Sequence, residues 1–162
     1  MWHWEYLTIQ NFQWIYGSTP MSDLSVIYTS WVVYFIGILS IRWYMAERTR
    51  IEKSHKGILS YNASMILCSI CVWCLSSWFL WQLIHTHLGT FCHAPEHPLF
   101  NTHGKYMLYS MYLCYLLRFY AFLDTVILAL RKKSIPFLHW YQHMFVILMM
   151  WSWLQDQSIF GR

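Results

Sequence analysis

Charge is scarce in this chain. Asp, Glu, Lys and Arg supply 11% of its 162 residues, against about a quarter in an ordinary soluble domain. In their place 57% of the residues are hydrophobic and 20% aromatic. That balance excludes a water-soluble globular domain and predicts a membrane protein. Glycine and proline are also few, 6 and 4 residues. There is no low-complexity linker, internal repeat or second soluble domain, so residues 1–162 read as one membrane domain. Met1 is followed by no basic n-region and no short apolar segment with a small-residue cleavage site, so the first span is expected to act as its own insertion signal. Lys and Arg are missing altogether from residues 1–23 and 85–104.

That last absence fixes a topology. Four windows, about 24–42, 58–84, 105–130 and 136–154, are long enough to cross a bilayer core, which takes roughly 20 apolar residues at about 1.5 Å each. The expected fold is therefore all-α, a polytopic membrane helix bundle with about four transmembrane helices. Arg42, Arg48, Arg50, Lys53 and Lys56 lie between spans one and two, and Arg131, Lys132 and Lys133 between spans three and four. By the positive-inside rule these loops face the cytosol, and the N-terminus, the 85–104 loop and the C-terminus face the far side. The net charge of +4 thus belongs to membrane orientation and forms no stripe for nucleic acid. Trp78, Trp81, Trp151 and Trp153 are expected as interfacial anchors. Trp2, Trp4, Tyr6 and Trp14 of the lead segment are expected at the interface too, with a turn over Gly17–Ser22.

Of the five cysteines, Cys68, Cys71 and Cys74 share one stripe of the second span. They read as small packing residues rather than as a metal or redox motif. Cys92 falls in the non-cytosolic loop with no second cysteine in a similar setting.

Ionisable groups inside membrane spans point to function. Arg118 and Asp124 lie in the third span, His139 and His143 in the fourth. Asp124 is seven residues before Arg131 and His139 six after Lys133, roughly 10 Å and at most about 9 Å of helix. The two spans are antiparallel with a short connector, so Asp124 and His139 are expected at similar depth beneath one basic mouth. Arg131, Lys132 and Lys133 suit phosphates or anionic lipid heads. His139 and His143, one turn apart, share a face. They could be a hydrogen-bonded structural pair, or base and nucleophile with Asp124 as their orienting carboxylate and Thr125 beside it. A metal centre is not expected: His85, His87, His93, His97 and His103 are predicted on the opposite side of the membrane from His139 and His143.

The run LLRFYAFLDTVILALRKKSIPFLHWYQH, residues 116–143, resembles the ELO family of very-long-chain fatty acid elongases. That family shows a K-x-x-E-x-x-D-T helix, a basic turn and an H-x-x-H-H box. Asp124 and Thr125 match the D-T, Leu130 to Lys133 the turn, and Phe137, Leu138, His139, Tyr141 and His143 the box. Trp140 completes an HWY that looks like the branch acting on saturated and monounsaturated chains. Three positions depart from the pattern: Arg118 stands for Lys, Ala121 for Glu and Gln142 for the fourth-position His. The family has seven spans and a second histidine motif, and this chain stops after four, as a C-terminally truncated ELO-like domain would.

The resemblance implies an endoplasmic-reticulum enzyme with a luminal N-terminus. It would condense a long-chain acyl-CoA with malonyl-CoA to 3-oxoacyl-CoA, carbon dioxide and CoA, with no resident cofactor. Catalysis would fall to His139, His143 and Asp124. Substrate binding would fall to Arg131, Lys132, Lys133, Arg118, Thr125, Tyr141 and Gln142. Partners would be the bilayer, both CoA thioesters, and other elongation-cycle enzymes or a second copy. The alternative is a catalytically inactive membrane chain that binds a full-length elongase or another elongation subunit.

Overall fold

The computed structural model describes residues 12–49, 56–86 and 98–156. Trp2, Trp4, Tyr6, Cys92 and most of the histidine-bearing loop lie outside these residues. Among the described residues five helices follow in order: α1 (Leu24–Met45), α2 (Lys56–Thr86), α3 (Pro98–Tyr120), α4 (Phe122–Leu130) and α5 (Phe137–Gln155). The segments Leu24–Met45, Lys56–Gln82 and Lys105–Leu130 are each long and apolar enough to cross a membrane. With 19 residues, α5 reaches about 28 Å at 1.5 Å per residue, but His139, Gln142 and His143 dilute its first two turns. The fold is thus an all-α bundle with three to four helices of membrane-crossing length. Unpaired backbone is intolerable in lipid, so an apolar chain with few internal breakers satisfies it within helices.

The third span carries one break. Asp124 N–H would pair with the Tyr120 carbonyl in a regular α-helix; it pairs instead with Ala121 O at 3.1 Å. The Tyr120 carbonyl accepts from the Tyr61 hydroxyl of α2 at 3.5 Å. A side chain entering the backbone ladder is a recognised cause of helix bending, and here it separates α3 from α4.

Helix α1 packs on α4, α3 on α5, and α2 chiefly on α3. The core gathers at the end of the bundle that holds the N-terminal turn: Phe12, Trp14, Ile27, Leu108, Tyr112, Tyr115, Ile147 and Leu154. Its polar edges are closed by donors that reach the turn. Tyr115 Oη donates to Met21 O at 2.8 Å, Tyr112 Oη to Pro20 O at 3.3 Å and Trp151 Nε1 to Ser22 O at 2.6 Å.

Two interfacial expectations are corrected by this packing. Trp14 is buried, edge-on to Tyr112 and Tyr115, and donates to the Gln155 side chain. Trp151 turns inward to cap the N-terminal turn. In both cases a buried acceptor for the indole N–H outweighs the pull of the interface. Trp78, Trp81 and Trp153 do face outward. The expected turn is present, with Gly17 at φ +75 and its N–H held by Ser22 Oγ at 2.9 Å. Cys68, Cys71 and Cys74 are exposed, so they do not pack against the described helices.

Candidate active site

Helix α4 turns two faces to its neighbours. Thr125 and Ala129, one turn apart, are both buried on the side where α1 packs. Asp124 lies one residue earlier, about 100° round the helix, next to the Tyr61 hydroxyl of α2. The break at Ala121 sits just before both residues and so sets the aim of each.

Thr125 is 0% exposed and is the hub of a hydrogen-bonded chain. Its Oγ1 lies 2.8 Å from the Tyr34 hydroxyl of α1 and 3.1 Å from His139 Nε2 of α5. A hydroxyl both donates and accepts, so the three groups can pair fully in either direction. Tyr34 is locked from the other side by Phe122, stacked on it at 4.4 Å.

His143 lies one turn deeper, its ring 4.7 Å from that of His139 and tilted 72° to it. Phe122 lies 6.2 Å from the His143 ring, so the imidazole has an apolar neighbour. The charges acting on it come from His139, Asp124 and Arg118. Unlike His139, His143 has no hydrogen-bond partner among the described residues, and it is half-buried rather than sealed. One imidazole is therefore held and the other is available.

The structure brings together Asp124, Thr125, His139 and His143, with Arg118 within electrostatic reach. Tyr141 is placed differently: it stacks between Phe137 and Phe145 at 5.8 and 5.7 Å on the outer face of α5. Gln142 is also exposed. Arg131, Lys132 and Lys133 form the turn after α4, above the cluster. Lys132 Nζ donates to the Ala46 carbonyl at the end of α1, 2.9 Å away. Sequence reasoning missed Tyr34 and Tyr61. A lone tyrosine in an apolar helix carries no local signal, and only the pairing of α1 with α4 and α2 with α3 reveals what each touches.

A histidine pair and an Asp-Thr pair meeting under a basic turn are the features that suggested a family, and comparison with known proteins decides it. Residues 19–161 match the ELO: GNS1/SUR4 family. The chain belongs to that family. It is 30% identical to fatty acid elongase sre1 of Dictyostelium discoideum over 153 residues, covering 93% of this chain and 55% of that protein. It is 29% identical to fatty acid elongase A of the same organism over 150 residues, covering 90% of this chain and 51% of that one. The chain thus spans about half the length of the curated relatives it matches. No solved structure matches it. In this ELO chain the D-T pair and both flanking histidines of the box converge, while the departing position, Gln142, stands at the open edge of the cluster.

Proposed function

We propose that the chain carries one wall of a condensing site that joins a long-chain acyl-CoA to malonyl-CoA, yielding 3-oxoacyl-CoA, carbon dioxide and CoA. The observation that carries this reading is the unequal state of the two imidazoles. Thr125 occupies His139 Nε2, while His143 keeps its ring nitrogens for substrate and has Asp124 acting on it. His143 attacks the acyl thioester carbonyl, the thiolate of CoA leaves with the proton, and an acyl-imidazole remains. Malonyl-CoA then loses carbon dioxide; the acyl-imidazole takes up a proton from solvent, and the carbanion attacks the acyl carbonyl and releases the neutral imidazole. Asp124 stabilises the imidazolium that forms in each half-reaction. Arg118 supplies positive charge to the carbonyl oxygen as it becomes anionic.

Arg131 of the basic turn meets the phosphates of the CoA moiety. Gln142, at the open edge of the cluster, contacts the passing thioester. The acyl chain is saturated or monounsaturated, as the HWY box implies; Trp140 of that box packs edge-on against Phe35 of α1 at 5.1 Å. The site works in the endoplasmic-reticulum membrane, with the basic turn cytosolic and the N-terminus luminal, beside other elongation-cycle enzymes or a second copy.

Gln142 favours one second reading. An amide cannot serve as a nucleophilic imidazole, so the chain is alternatively a non-catalytic partner of a full-length elongase. Microsomes expressing the chain and supplied with labelled malonyl-CoA and C16 or C18 acyl-CoA separate the two. Labelled 3-oxoacyl product is expected. No product above control microsomes, with none restored by Gln142→His, sinks the catalytic reading and leaves the partner reading standing.

A further inference from the structure

Helix α1 ends at Met45 and α4 at Leu130, side by side. Between their ends opens a cavity of about 180 Å³ lined by Arg42, Met45, Ala46, Ala129, Lys132 and Lys133. A water molecule takes about 30 Å³ in the liquid, so a phosphate group fits. We propose that this cavity binds the phosphate of an anionic phospholipid headgroup, at a site separate from the histidine cluster.

Three observations carry the proposal. First, the cavity is cationic: Arg42 and Lys133 have no carboxylate partner among the described residues. Two helix C-termini would ordinarily repel an anion through their negative dipole ends, but here their carbonyls are already engaged. Lys132 N–H donates to Ala129 O and Lys133 N–H to Leu128 O, each at 3.0 Å, closing α4 with a Schellman turn. Lys132 Nζ covers the Ala46 carbonyl at 2.9 Å.

Second, Lys132 holds a position that glycine normally takes. Its φ is +52, in the left-handed region that disfavours any residue with a Cβ. Glycine would close α4 with less strain, but it would bring no ammonium to the cavity. Strain that persists at a cationic pocket points to a use for the cation.

Third, the depth is right for a lipid. Two membrane-length segments, Leu24–Met45 and Lys105–Leu130, end at this cavity, so it lies at headgroup level. Leu39 and Trp43, on the neighbouring turn of α1, are 67% and 83% exposed, offering an acyl chain an apolar surface that a soluble anion would not use. Thr125 lies one turn below Ala129 on the same face of α4, so the proposed lipid sits a turn above the Thr125–His139 pair, while Asp124 lies about 100° round the helix.

The test uses the full chain in detergent, equilibrated with mixed micelles of phosphatidylcholine and phosphatidylinositol, with retained lipid read by native mass spectrometry. Phosphatidylinositol is expected to be preferred. The preference should fall about five-fold for each headgroup-contacting cation removed, in Arg42→Gln, Lys133→Gln and Lys132→Gly alike. Lys132→Gly keeps the left-handed turn and so separates lost charge from lost fold. Lys56→Gln, on α2, should leave the preference unchanged. Equal retention by wild type and the three pocket variants, or an equal drop in Lys56→Gln, overturns the site. Displacement of the lipid by millimolar inorganic phosphate alone overturns the lipid in favour of a soluble anion.

Discussion

At the end of the bundle that holds the N-terminal turn, Phe12, Trp14, Tyr112 and Tyr115 interlock with Ile147 and Leu154, and among the described residues no carboxylate, imidazole or cation belongs to the cluster. At the opposite end the same helices α1, α3 and α5, with α4, bring Tyr34, Asp124, Thr125, His139 and His143 within reach of one another, and most of these side chains stay partly open. One end is closed by tyrosine and tryptophan donors that consume the polar backbone of a turn. The other keeps polar groups unspent. The closed end positions the helices, and the open end holds the groups on which the proposed chemistry rests.

The sharpest way to break this contrast is His143→Ala. It removes the available imidazole from the open end and touches nothing in the closed one. Condensation rate should fall on the order of 10³-fold, as loss of an essential nucleophile or base does, with the thermal midpoint in detergent little changed. A variant that melts early and keeps its rate per folded molecule would assign His143 to structure instead.

Tyr115→Ala probes the closed end. The side chain is fully buried, stacks edge-on with Trp14 and Phe119 and donates to Met21 O. Its removal should cost about 3 kcal/mol, seen as a lower midpoint in detergent unfolding followed by tryptophan fluorescence. Activity per folded molecule should stay near wild type. A rate loss as deep as that of His143→Ala would show that the two ends are not separable.

How much of this was legible in the sequence differs between the two ends. The helices were legible because charge is scarce and its few runs mark the loops; the expected spans and the observed helices differ by at most three residues at their ends, except that α3 begins seven residues before the expected third span and is broken from α4 at Ala121. Asp124, Thr125, His139 and His143 were legible because each pair lies within one turn of a single helix and the short basic connector fixes their relative depth. Tyr34 was not, since nothing local distinguishes it from Tyr28 or Tyr44. Its role exists only through the packing of α1 on α4. The inward turn of Trp14 and Trp151 was hidden for the same reason: whether an indole serves as anchor or cap depends on an acceptor contributed by distant chain. The break at Ala121 was equally hidden, because the hydroxyl that meets the freed Tyr120 carbonyl comes from α2.

Thr125→Val is expected to have the next effect. Valine keeps the volume and removes the hydroxyl, leaving the Tyr34 hydroxyl and His139 Nε2 facing an apolar group. A buried polar group left unpaired costs about 1–3 kcal/mol, so the midpoint should fall. If His139 then turns away from its present direction, the rate should fall with it. Unchanged stability together with unchanged rate would show that the hydroxyl bridges nothing of consequence.

Tyr34→Phe should have the smallest effect, and it tests the link between the two ends most directly, because α1 carries both the buried Ile27 of the closed end and Tyr34 of the open one. The ring and its stacking on Phe122 remain; only the hydroxyl that meets Thr125 is lost. Thr125 can still pair with His139, so the cost should be that of a single hydrogen bond, about 1 kcal/mol, or roughly a five-fold loss in kcat with little change in KM. Tyr34 touches His139 only through Thr125. In the Tyr34→Phe, Thr125→Val double variant the tyrosine's contribution should therefore vanish, with a rate no lower than that of Thr125→Val alone. Additive losses would mean that Tyr34 reaches the histidines by a route other than Thr125, and that α1 does more at the open end than hold one hydroxyl in place.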